Sequence, residues 1–294
     1  MRDIRAVVTD LDGTVLDHEK RVSAATVRAA ADLAARGIPL IIATARTPTW
    51  VAALEPLVPL VSVAVCCGGA VGWSPKAGKM LWRDTIPPDG VDRIVRFTVQ
   101  HLPNAGIAAY DGQQWRVTEA FATLGPTRRG LVEIVAAEQI AEHPVCAMSL
   151  CHPGGSRDEL LRALVADAQL PPNMEFSVGN VVDIAPSGID KAVGITRALA
   201  EVGVDSAHAI AFGDMPNDLP MFALCGYTVA VANAHPDVIA AATGLAACIH
   251  DDGFARTLGD LDLVGIYRAD EARSGPGCSC PPVEGVSRQT GALS

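Results

Sequence analysis

Four aspartates, Asp10, Asp12, Asp214 and Asp218, stand just past short apolar runs, where their type and spacing could do chemistry. Asp10 and Asp12 follow Ile4-Arg5-Ala6-Val7-Val8-Thr9, and Asp214 follows a run from Ala207 to Phe212. A third run, Ile38-Pro39-Leu40-Ile41-Ile42-Ala43, ends at Thr44-Ala45-Arg46. Short β-branched runs of this kind read as strands buried on both faces, as in a parallel sheet. In an open α/β sheet, ligands bind beyond the carboxyl ends of the strands. The loops 10–14, 44–46 and 214–218 are therefore expected to share one crevice. Four carboxylates crowded there repel one another, unless a cation neutralises them or a proton is taken up. An all-oxygen donor set selects a hard ion, and magnesium is the natural choice. Lys191, at the expected start of a helix, favours an anion instead. Carboxylates, a hard cation and an anion-binding lysine together suggest phosphoryl transfer.

The elements that must position these residues are legible in outline. Ser23 is expected to cap a helix reaching Arg36 and stopped by Gly37. A helix from Pro48 and a third strand, Val61 to Cys66, should follow. Strand and helix in alternation signify a parallel α/β sheet. From Pro87 to Pro186 the apolar runs weaken, and polar turns occur at Asp111-Gly112-Gln113-Gln114 and Pro153-Gly154-Gly155-Ser156. This stretch reads as an inserted second domain, bounded by Pro87-Pro88 and Pro186-Ser187-Gly188. A helix starting at Asp190, the strand ending at Phe212 and another from Tyr227 to Ala232 complete the pattern. Residues 271–294, rich in Gly, Pro and Ser, are expected to be disordered.

Bulk composition narrows the classes. The 294 residues are 49% hydrophobic but only 4% aromatic, so a core must be built from Ala, Val, Leu and Ile. A net charge of −10 without a basic stripe argues against nucleic-acid binding. No signal peptide is readable, because Asp10 and Asp12 interrupt the first apolar run. The uncharged stretch from Pro56 to Pro75 has the length of a membrane span, but its prolines and glycines suit a strand with flanking loops. A cytoplasmic protein that binds no membrane is expected. The 8 cysteines include Cys66-Cys67 and Cys278-Ser279-Cys280 but no CxxC pair, so buried or idle thiols are expected. Histidines such as His18 and His235 show no ligand spacing and suit surface or capping roles.

The segment Asp10-Leu11-Asp12-Gly13-Thr14-Val15-Leu16 resembles the DxDGT motif that opens the haloacid dehalogenase-like phosphatases. Thr44, Lys191 and Gly213-Asp214-Met215-Pro216-Asn217-Asp218 resemble the other three motifs, in the family's order. The insertion between the second and third motifs is similar to the α/β cap of the Cof-like branch. The resemblance implies a parallel, Rossmann-like core at 1–86 and 187–270 with an α/β cap domain at 87–186. It implies that Asp10 is a nucleophile forming an aspartyl-phosphate. Asp12 would protonate the leaving oxygen and then activate water. Magnesium would be held by Asp10, the backbone carbonyl of Asp12, and Asp214. Thr44 and Lys191 would bind phosphoryl oxygens together with backbone N–H groups near Leu11 and Ala45. Asn217 would contact the phosphate, and Asp218 would orient Lys191 or a metal-bound water. Arg46 is left between a substrate contact and a structural ion pair.

Two departures stand out. The family's TGR is here Thr44-Ala45-Arg46, and the NGA of many Cof-like members is here Gly68-Gly69-Ala70. Taken singly, Asp-Gly is a turn, Thr after a strand a cap, and Lys191 a surface residue; four motifs in order outweigh those readings. The expected function is hydrolysis of a small phosphorylated metabolite, such as a sugar phosphate. A phosphomutase would use the same motifs, and a non-catalytic binding module on the same fold would leave the charges of Asp10, Asp12, Lys191 and Asp214 uncompensated. The sequence names neither substrate nor oligomeric state.

Overall fold

The computed structural model describes residues 3–153, 174–176 and 181–265. In chain order these form β1 (Ala6–Thr9), α1 (Ala24–Ala35), β2 (Leu40–Ala43), α2 (Pro48–Val51), β3 (Val63–Cys66), β4 (Val71–Ser74), β5 (Lys79–Arg83), α3 (Pro88–His101), β6 (Gly106–Tyr110), β7 (Gln114–Val117), α4 (Glu119–Leu124), β8 (Leu131–Ile134) and α5 (Ala137–Ile140). There follow β9 (Ala147–Cys151), β10 (Met174–Phe176), β11 (Val181–Ile184), α6 (Lys191–Val202), β12 (Ala209–Gly213), α7 (Leu219–Leu224), β13 (Tyr227–Val231), α8 (Pro236–Ala241), β14 (Gly244–Ala246) and α9 (Gly253–Asp260). The chain divides into two compact units, one running to Ile42 and resuming at Val202, the other spanning Ala43 to Glu201. The expected tail at 271–294 and the glycines of the loop after Pro153 lie outside the described residues.

In the first unit β1 lies between β12 and β2, and β13 and β14 continue beyond β12, all parallel. Every residue of β1, β2, β12 and β13 is buried, as their unbroken apolar runs require. The chain leaves β1 for β2 on one side and later returns to β12 on the other. That makes β1 and β12 a topological switch point, the place where an open α/β sheet has its binding crevice. The expected first helix forms as α1: Ser23 accepts from Thr26 N, and Gly37 ends it at φ 72°. Phe212 of β12 meets Phe254 of α9 edge-on, centroids 4.9 Å apart, both buried.

In the second unit β3, β4 and β5 make an antiparallel meander. The uncharged stretch read from sequence as a strand with loops supplies both β3 and β4, and no helix among the described residues is long and apolar enough to cross a membrane. A second sheet runs β10-β11-β9-β6-β7-β8, antiparallel except between β7 and β8. Its strands alternate. Ile107, Ala109, Met148, Leu150, Val182 and Ile184 pack with Val91, Ile94 and Val95 of α3 in one apolar cluster. The residues between them, including Ala147, Ser149 and Asp183, point to the opposite face. Ser149 and Asp183 are register partners there, and the hydroxyl donates to the carboxylate at 2.5 Å. The Asp111 turn forms as expected, its carboxylate accepting from Gln113 N and Gln114 N. The helix expected from Pro48 closes after four residues.

Truncating the ring at the β12–α9 contact, Phe254→Ala, should cost about 3–5 kcal/mol, the usual range for a buried phenylalanine. A urea midpoint within error of the parent chain would show that this contact does not support the parallel sheet.

Candidate active site

Asp10 follows β1 and Asp214 follows β12, so two adjacent parallel strands deliver both carboxylates to one sheet edge. Asp10, Asp214 and Asp218 are all buried, and each offers a carboxylate oxygen within 4.8 Å of the others. The neighbouring backbone fits tightly around them. Gly13 adopts φ 84°, and a Cβ there would lie 2.4 Å from Asp214 Oδ2, so only glycine satisfies both the turn and the space. Thr14 Oγ1 donates to Asp214 Oδ1 at 2.8 Å. Asp218 Oδ2 accepts from the backbone N–H of Asp214 and of Met215, at 2.9 and 3.0 Å. Asp218 therefore ties down the loop that carries Asp214. Asn217 sits half-buried in the same one-turn segment.

Asp12 is placed differently. Its carboxylate is outside the cluster of three and pairs with Lys20 Nζ at 2.8 Å, both side chains partly exposed. The DxDGT turn thus separates its two acids. Asp10 faces a buried group of like charges, and Asp12 sits on a wetter ion pair. Leu11 is fully buried and closes the turn, its carbonyl accepting from Val15 N and Leu16 N at 3.1 and 2.8 Å.

The second unit carries the expected anion-binding residues. Thr44, the residue after β2, is buried, and its Oγ1 accepts from Arg46 N at 3.2 Å. Thr44 and Arg46 carbonyls accept from Gly68 N and Cys67 N at 3.0 and 2.9 Å, which fastens the loop 44–46 to the turn after β3. Arg46 stacks its guanidinium over the Trp50 ring, 3.0 Å from the centroid, a cation–π contact that the sequence reading did not weigh. Lys191 begins α6 and is 1% exposed. Asp190 caps that helix through Val193 N, and a Cβ on Gly69, at φ 118°, would lie 2.0 Å from the Asp190 carbonyl oxygen. Gly68 therefore meets the Thr44 loop while Gly69 meets the start of the lysine helix. The departure from NGA preserves a glycine where the backbone needs one.

Sequence reasoning missed Thr14 and Asn233. Asn233 Nδ2 donates to the Gly13 carbonyl at 2.8 Å, and its Oδ1 accepts from Ile249 N at 3.0 Å. It lies in the turn after β13, so the rule that led to Asp214 would have found it. Among the described residues the free cysteines are all buried, and desolvation raises the Cys66, Cys67, Cys146, Cys151 and Cys225 thiols, making poor nucleophiles of them. Cys278 and Cys280 lie outside the described residues. His235 caps α8 through Asp237 N at 3.2 Å, as its surface reading allowed.

A family model for the haloacid dehalogenase-like hydrolases matches residues 7–258, and the chain belongs to that family. It is 24% identical over 264 residues to a phosphoglycolate phosphatase of Methanothrix thermoacetophila, covering 90% of this chain and 99% of that one. It is 27% identical over 251 residues to the pyridoxal phosphate phosphatase YbhA of Escherichia coli, covering 81% and 91%. The fold is similar to a phosphatase of the same superfamily from Bacteroides thetaiotaomicron, with a TM-score of 0.74 at 21% identity over 89% of this chain and 96% of that one. A sugar phosphatase of its subclass IIB is equally similar, TM-score 0.74 at 20% identity over 88% and 100%.

Gly13→Ala should push the Asp214 carboxylate aside. Displacements of about 1 Å at a reacting centre can cost about 10²-fold in rate, so hydrolysis of an activated aryl phosphate should fall on that order. Turnover within twofold of the parent enzyme would mean that the close approach of Gly13 to Asp214 is not needed.

Proposed function

We propose that this protein is a magnesium-dependent phosphatase that hydrolyses a small phosphorylated metabolite through an aspartyl-phosphate on Asp10. The observation that carries this reading is the buried trio Asp10, Asp214 and Asp218 at the switch point, with Asp12 two residues away yet outside it. Three carboxylates this close are compatible with burial only if their charge is offset. The donor set, all oxygen and all acidic, fits magnesium. Asp10, Asp214 and the carbonyl of Asp12 would hold the ion, with Asp218 beside them, and bound there it would neutralise the acids and draw charge from the phosphoryl oxygens. The names of the relatives, phosphatases of phosphoglycolate and pyridoxal phosphate, support a small phosphomonoester as substrate.

The chain's own groups then divide the work. An Asp10 carboxylate oxygen attacks phosphorus, and the bond from phosphorus to the leaving oxygen breaks. Asp12 in its acid form gives that oxygen a proton. Its partly exposed pairing with Lys20 leaves the side chain able to swing. Asp12, now a carboxylate, takes a proton from water as the water attacks the phosphorus of the aspartyl-phosphate. Inorganic phosphate leaves and Asp10 is restored. Thr44 spends an acceptor site on Arg46 N, leaving its O–H to donate to a phosphoryl oxygen. Lys191 supplies positive charge from a fully buried position. The N–H groups near Leu11 and Ala45 and the Asn217 side chain would complete the cradle. Thr14, Asp218 and Asn233 hold the loops still.

With magnesium, the purified protein should release inorganic phosphate from an aryl phosphate, and excess chelator should stop it. Full turnover in chelator, with no residual bound metal, would defeat the metal reading. Asp10→Asn should abolish phosphoenzyme formation. Asp12→Asn should lose about 10²–10⁴-fold, the usual value of a positioned proton donor, on an unactivated phosphate ester. On an activated aryl phosphate it should instead show a burst of aryl alcohol and a phosphate mass addition on Asp10. A label mapping to another residue would overturn the assignment of the nucleophile.

A further inference from the structure

The second unit holds a small, partly open cleft lined by Ala45, Gly68, Trp115, Ser149 and Asp183 among others. Ala45 and Gly68 belong to the anchored 44–46 loop and its supporting turn. Ser149 and Asp183 come from the face of the six-stranded sheet that α3 leaves uncovered. The cleft thus joins the phosphate-binding motif to that sheet inside one compact unit.

One arginine stacks on its Trp115 wall, and two others stack on Trp50. Arg128 places its guanidinium 4.4 Å from the Trp115 centroid and 4.9 Å from that of Phe121. Arg129 lies 5.3 Å from the centroid of Trp50, the ring that also carries Arg46. Gly130, at φ 100°, packs its backbone against Thr49, where a Cβ would come within 3.0 Å of Thr49 Cγ2.

Arg128 is the unusual member. Its Nε and Nη2 are buried and have no hydrogen-bond partner among the described residues. Buried guanidinium donors are ordinarily paired, because desolvation without a partner is unfavourable. Burial lowers the pKa of this arginine, and the nearby charge of Asp183 offsets part of that. Nε–H and Nη2–H form one edge of the guanidinium plane, the edge that grips a carboxylate or phosphate with two parallel bonds. Both rings beneath it fix the plane.

We propose that Arg128 is a specificity residue whose Nε–Nη2 edge binds a second oxyanion, a carboxylate or a further phosphate, on the leaving group of the substrate. Ser149 and Asp183, on the same cleft wall, suit hydroxyls of that leaving group. The inference rests on the phosphatase reading and narrows its substrates to phosphomonoesters that carry another negative charge.

The test compares 2-phosphoglycolate, a sugar bisphosphate, a neutral sugar monophosphate and p-nitrophenyl phosphate, using the full chain with magnesium. The wild-type enzyme should favour phosphoglycolate or the bisphosphate over the neutral sugar phosphate, and whichever leads identifies the oxyanion. Arg128→Met should lower that preference ratio by about 10–100-fold, the usual span for a charge-assisted bidentate pair, mostly through KM. Arg128→Lys keeps the charge without the fork and should recover only part of it. Equal losses on all four substrates would mark Arg128 as a packing residue and overturn the proposal, as would a wild-type enzyme indifferent to the second charge. If no substrate is turned over, the phosphatase reading itself fails. Calorimetric binding of the doubly charged esters to wild type and Arg128→Met then decides on Arg128: equal affinities overturn the subsite, and binding lost only in the variant upholds it.

Discussion

Mutual repulsion among Asp10, Asp214 and Asp218 is the constraint on which the rest of this structure depends. Three acids within hydrogen-bonding distance of a common centre stay together only if the backbone holds them and something positive completes them. The holding is visible. A glycine at the first turn yields space to Asp214, a threonine binds that carboxylate, Asp218 cements its own loop, and Asn233 braces the glycine carbonyl. None of these groups needs to touch a substrate. Together they fix side chains that would otherwise move apart.

The second unit solves the opposite problem, collecting positive charge and N–H donors in an acidic protein. Two glycines in one turn serve it, because a side chain on Gly69 would collide with the backbone that starts the Lys191 helix. Gly194 in that helix continues the contact: a Cβ there would lie 2.3 Å from Val65 Cγ1. Small residues therefore govern where the lysine stands, although none of them is charged. The same economy appears at Gly130, which lets the arginine run lie flat on Thr49.

The parallel sheet was legible because β1, β2, β12 and β13 are buried on both faces, and such strands leave an unbroken apolar run in the sequence. The clustered acids were legible because they follow those runs. Other features were hidden for physical reasons. The six-stranded sheet alternates its side chains between the α3 cluster and a face that carries Ser149 and Asp183, so its strands leave mixed rather than unbroken apolar runs. The divergence of Asp12 from Asp10 depends on Lys20, whose φ of 63° turns the chain back toward Asp12. Asp218 resembles a ligand by type, and its second duty, accepting two backbone N–H groups on one oxygen, has no signal in the sequence. The stacking of Arg46 on Trp50 needs the short α2, which the sequence announced at Pro48 but not in its length.

The discontinuity of the first unit has a consequence for how the protein is made. Thr14 and its partner Asp214 are 200 residues apart in the chain. A ribosome delivers β1 and β2 long before β12 exists, so these strands emerge with one edge unpaired. The second unit is a single continuous stretch and can collapse while synthesis proceeds. Only after β12 and β13 follow can the parallel sheet close and gather its acids. The nascent chain therefore passes through a stage in which the second unit can be folded while Asp10, Asp214 and Asp218 are not yet gathered.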